Sequence, residues 1–92
     1  MEFKELNFTL STTGTQALVF FDNGLGASVI TGECAYTSEG KPYELAVIAG
    51  NSEYWNICYT TGITDDVIGH LSESEVCDLL NEIRNLDFVE VV

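Results

Sequence analysis

The sequence predicts an α+β domain: an antiparallel β-meander of four to five strands with one C-terminal α-helix packed on one face, in two layers. Three observations carry this expectation. Apolar residues recur with period two through residues 5–60, glycine-rich turn signals separate those runs, and beyond Thr61 the apolar period becomes that of a helix. No linker, repeat or low-complexity tract interrupts the chain, so residues 1–92 are read as a single α+β domain. A chain of this size buries about 60–65% of its unfolded surface, enough for one core but hardly for a two-lobed cleft.

In "ELNFTL" (5–10), Leu6, Phe8 and Leu10 alternate as in a half-buried strand. "STTGTQ" is a turn cluster. "ALVFFD" and "GASVIT" flank "NGLG", where Asn23-Gly24 and Gly26 offer the positive φ of a tight hairpin. Tyr36 lies between turn-like stretches and extends a strand, and "SEGKP" is a loop. "YELAVIA" (43–49) is a well-marked strand, "GNSE" turns the chain, and "YWNICYT" (54–60) closes the meander. In "TDDVIGHLSE", Thr64 is expected to cap a short helical turn over 65–68 that Gly69 ends, with Val67 and Ile68 inward.

Two start signals mark the helix. Ser72 and Glu75 have the spacing of a capping box, and Leu71 and Val76 that of a hydrophobic staple. Val76, Leu79, Leu80, Ile83 and Leu86 then form one apolar stripe, with Glu75, Asp78 and Glu82 on one flank and Cys77 and Arg84 nearly opposite. The final "DFVEVV" reads as a short strand or apolar tail that docks on the sheet or on a second subunit.

Composition limits the functions open to such a domain. Fifteen Asp and Glu stand against Lys4, Lys41 and Arg84, a net charge of −12. A chain so acidic repels nucleic acid and anionic membranes, so direct binding to either is not expected, and a charge-driven partner is a basic protein surface or a cation. Cys34, Cys58 and Cys77 are odd in number with no C-x-x-C pair, which fits reduced thiols in a cytoplasm. "MEFKELNF" lacks the basic and apolar regions of a signal peptide, and "ALVFF" is too short to span a bilayer.

Local structure accounts for most of the residues that could carry chemistry. Asp65, Asp66, His70 and Glu73 could ligate a metal, yet they match neither an EF-hand loop nor an H-x-x-x-H pair, and capping accounts for the aspartates more simply. No nucleophile signature surrounds a cysteine or serine, and no lysine follows the glycines of "DNGLGAS" to reach a phosphate. Tyr36, Tyr43, Tyr54, Trp55 and Tyr59 lack the basic surroundings of a base-stacking platform. The expectation is a non-enzyme with no catalytic residues, no metal and no cofactor. What remains is an acidic surface built by Asp65, Asp66, Glu73, Glu75, Asp78 and Glu82, either a solvated face or a contact for a basic protein.

The run "ICYTTGITDDVIGHLSESEVCDLLNEI", with "NGLGASVITG" and "YELAVI", resembles small acidic proteins encoded by bacteriophages and prophages, over about residues 20–86. The resemblance implies a phage accessory product acting in the bacterial cytoplasm. It brings no residue roles. Understood small acidic phage proteins are often inhibitors of host or defence machinery, including anti-CRISPR proteins and nucleic-acid mimics. The expected function is therefore inhibition of a host or defence protein, such as a basic nucleic-acid-binding protein or complex, through the acidic surface. The alternatives are a structural or assembly homo-oligomer (a homodimer at its simplest) and a small-ligand-binding module on the open sheet face.

Overall fold

The period-two runs become strands of one antiparallel sheet. The structure, a computed structural model, describes residues 3–11, 14–32, 40–58 and 67–86. A 3-10 turn (Phe3–Glu5) leads to β1 (Thr9–Ser11), β2 (Gly14–Phe20), β3 (Leu25–Thr31), β4 (Tyr43–Gly50), β5 (Trp55–Ile57), β6 (Ile68–Leu71) and the helix α1 (Glu73–Arg84). Among the described residues the sheet has six strands, in the order β1-β2-β3-β4-β5 with β6 also pairing with β4. With α1 on one face, this is the two-layer α+β fold that the sequence predicts. The sixth strand is an addition.

Register decides which residues meet the helix. Ala17 pairs with Val29, which pairs with Leu45, and Ala27 pairs with Val47. Because side chains alternate across a strand, these residues share one face with Leu25, and all six are fully buried. Val76, Leu80 and Ile83 of α1 close over them, also fully buried. Each such side chain contributes roughly 1.5–3 kcal/mol relative to exposure. The helix packs on β3 and β4, while Leu6, Phe3 and Phe8 join the same core from the N-terminal segment. Phe3 and Phe8 meet Tyr43 with ring centroids 4.9 and 5.9 Å away.

That packing explains the first departure from the expected elements. Residues 5–10 are not one strand, because the Leu6 amide donates to Phe3 O and turns the chain inward, leaving only Thr9–Ser11 to pair with β2. Leu6 is buried but Leu10 is 89% exposed, since the helix does not reach over β1. Conversely, β2 begins at Gly14, inside the stretch read as a turn.

The β2–β3 hairpin forms where expected, but its glycines divide the work. Gly24, at φ +86°, supplies the left-handed residue of the turn. Gly26 lies in β3 pressed against β2, where a Cβ would run into Val19 O and the Phe20 ring. It is needed for close approach and not for φ.

The segment before α1 departs most. Ile68 and Gly69 both belong to a strand, so the expected helical turn does not include Ile68, and residues 65 and 66 lie outside the described residues. Tyr43 pairs with Leu71 and Leu45 with Ile68, so β6 carries one more residue than β4 across this interval. His70, at φ +57°, lies within that bulge. The expected strand 54–60 is observed as Trp55–Ile57. Tyr36, Tyr59, Thr60, Cys34, the capping Thr64 and residues 87–92 lie outside the described residues.

Candidate functional site: the acidic helix flank

Helix α1 starts as its sequence directs. Ser72 is the N-cap, its Oγ accepting from the Glu75 amide (3.3 Å) while Glu75 Oε1 accepts from the Ser72 amide (3.2 Å). Both halves of the capping box are therefore made. Leu71 and Val76, the staple positions, are both buried in the core.

A helix turns about 100° per residue, which sorts the carboxylates. Glu75, Asp78 and Glu82 fall within about 60° of one another, on one flank of the buried stripe. Glu73 lies about 160° from Glu75, on the opposite flank with Cys77 and Arg84. The geometry thus brings together three of the six residues proposed for the surface and separates Glu73 from them. Asp65 and Asp66 lie outside the described residues.

The three are not equivalent. Glu75 is bound to Lys41, Nζ to Oε1 3.0 Å, with both side chains about half exposed (49% and 41%). The hydrogen bond from Lys41 holds its carboxyl below the ordinary carboxylate range, and the bonds from the Ser72 amide and hydroxyl add to this. Glu75 therefore serves the fold, with its charge largely answered. Asp78 and Glu82 are exposed, and among the described residues neither has a salt-bridge partner. Across the helix, Glu73 acts on Tyr43, whose phenol is pushed above its ordinary value first by burial and then by the Glu73 charge.

The residues that could carry chemistry are dispersed. His70 is exposed in the β6 bulge. Cys58 is buried and Cys77 half-buried, and neither is in a disulfide. Among the described residues, no three His, Cys, Asp or Glu gather as metal ligands, and no helix is long and apolar enough to cross a membrane.

One feature escaped the sequence reading. Asn23, read only as a turn residue, reaches the far end of α1 and donates through Nδ2 to Ile83 O (2.8 Å) and Leu86 O (3.0 Å). Its Oδ1 accepts from the Leu25 amide (3.0 Å). Beside it, Phe20, Phe21, Asp22, Arg84 and Leu86 line an open cavity of about 610 Å³. Asn-Gly announces the turn, but nothing local announces the second partner. No protein-family model, curated protein or solved structure matches this chain.

Proposed function

We propose that the chain is a non-enzymatic, phage-type accessory protein of the bacterial cytoplasm that binds and inhibits a host or defence protein, in the manner of anti-CRISPR inhibitors. The contact is the acidic flank of α1, and the target carries a basic, nucleic-acid-binding surface. The observation that carries this reading is the pair Asp78 and Glu82, exposed and without ion-pair partners among the described residues, on a helix anchored at both ends, in a chain of net charge −12. Carboxylates fixed one helical turn apart, about 6 Å, can occupy sites built for successive phosphates. Glu75 positions the helix instead of meeting the target.

The test is capture from bacterial lysate on immobilised protein, comparing wild type with the double variant D78K/E82K. The partner is expected to elute at moderate salt, to compete with added DNA or RNA, and to be lost from the double variant while its fold and melting temperature are retained. Retention of the same partner by a folded D78K/E82K protein rejects the mechanism.

A further inference from the structure

Asn23 alone among the asparagines of the chain precedes a glycine. Asparagine is a thermolabile residue, and a following glycine lacks the Cβ that would hinder its side chain from closing on the backbone. Gly24 is exposed, and its amide meets Phe21 O at 3.4 Å, long for such a bond. The reacting groups are thus adjacent, and the nitrogen is weakly held. What keeps them from reacting is the tie to α1. Nδ2 donates to Ile83 O (2.8 Å) and Leu86 O (3.0 Å), and Oδ1 accepts from the Leu25 amide (3.0 Å). Bonds at both ends of the carboxamide fix its plane and engage the nitrogen that would have to leave.

We propose that Asn23-Gly24 is a latent self-modification site, guarded by the C-terminal end of α1 and released when that end opens. The terminal turns of a helix open more readily than the core, and here Arg84 and Asn85 are exposed. On opening, the Gly24 nitrogen loses its proton to a base in solution and bonds to Asn23 Cγ. The Cγ–Nδ2 bond breaks, Nδ2 leaves as ammonia, and a cyclic imide remains. Water then opens the imide at either carbonyl carbon, leaving aspartate or isoaspartate at position 23. Water is consumed and ammonia released in equal amounts, with nothing oxidised or reduced.

The product cannot restore the tie. A carboxylate has no hydrogen to donate to Ile83 O and Leu86 O, and its charge faces the negative end of the helix. Isoaspartate also adds a backbone carbon inside a tight turn whose glycine already stands at φ +86°. Each opening therefore risks a one-way step, and the modified fraction grows with the time the helix end spends open. The acidic flank of α1 takes no part in this chemistry, so neither reading requires the other.

Ageing of the purified chain at neutral pH, followed by proteolysis and mass spectrometry of the fragment that spans position 23, tests the proposal. Conversion should be at least about tenfold slower in the folded protein than in guanidinium, where no helix guards the carboxamide. I83V trims a fully buried side chain at the guarded end and should speed the folded rate roughly fivefold. S72A, at the other end of α1, should leave that rate unchanged. Aged protein should show faster amide exchange over the last turn of α1, as in N23D, with the first turn unaffected. Four results overturn the proposal: equal conversion in folded and unfolded chains; a folded rate indifferent to I83V; equal acceleration by I83V and S72A, as reaction from the globally unfolded chain would give; or aged protein whose last turn stays protected. The first and last need no variant, so they decide even if I83V folds poorly.

Discussion

At its N-terminus, α1 is closed by residues three positions apart, Ser72 and Glu75, with Lys41 added from the loop side. At its C-terminus, the carbonyls of Ile83 and Leu86 are met by Asn23, a separation of 60 and 63 residues. The first closure is ionic in part and involves a charge that pH can remove. The second is neutral and ties the helix to the β2–β3 hairpin, so it can exist only once both have folded. One helix therefore ends in a local device at one side and a tertiary one at the other, and the two should respond differently to perturbation.

The C-terminal closure should give the largest effect. N23A removes the donor to two carbonyls and the acceptor of the Leu25 amide at once, and is expected to destabilise the fold by about 2 kcal/mol. N23D sharpens the reading. It keeps the acceptor for Leu25 but replaces the donor by a carboxylate facing the negative end of the helix. If the helix tie matters more than the turn, N23D will be at least as destabilising as N23A in urea melts, with faster amide exchange over the last turn of α1. An N23D protein as stable as wild type would show that Asn23 acts only within its hairpin.

S72A should come next, at about 1 kcal/mol, because it removes the N-cap acceptor and leaves the Glu75 amide unbonded. Its effect should appear as fraying of the first turn, with no change in exchange near Ile83. A single double-mutant cycle with N23A checks the independence of the two ends: coupling above about 0.5 kcal/mol would mean that they are not separate devices.

The same contrast explains what could be read from the chain. Strands β3 and β4, the hairpin at Asn23-Gly24 and the capped start of α1 were legible because alternation, turn chemistry and capping are local codes. The flank shared by Glu75, Asp78 and Glu82 was legible from helical spacing alone. Ile68–Leu71 was not, since its local signals resemble a capped turn and only pairing with β4 makes it a strand. Gly26 looked like a turn glycine because a sequence does not state which neighbour presses on it. The answering of Glu75 by Lys41, and of the helix end by Asn23, are likewise contacts across long stretches of chain.

The smallest predicted effect is also the most diagnostic of the N-terminal closure. Folding lowers the Glu75 carboxyl below its ordinary value of 4.5, first through Lys41 and then through Ser72. A carboxyl lowered in this way contributes stability that is fully present above its unfolded value and is lost as pH falls through the folded one. E75Q retains the capping geometry, because glutamine serves at this position of the box, but has no charge to lose. Wild type should therefore be more stable than E75Q at neutral pH, with the gap closing once the pH drops below 4.5 and shrinking in high salt, as expected for a half-exposed pair. The N23A difference should not follow that course, because N23A touches no titrating group. The S72A difference should shrink only in part, because Lys41 stays in place and is the larger cause of the lowered carboxyl. Urea midpoints for the three variants and wild type between pH 7 and pH 3 decide the matter. A gap between wild type and E75Q that persists unchanged at low pH would show that Glu75 acts through geometry alone, and the two ends of α1 would then differ in reach but not in kind.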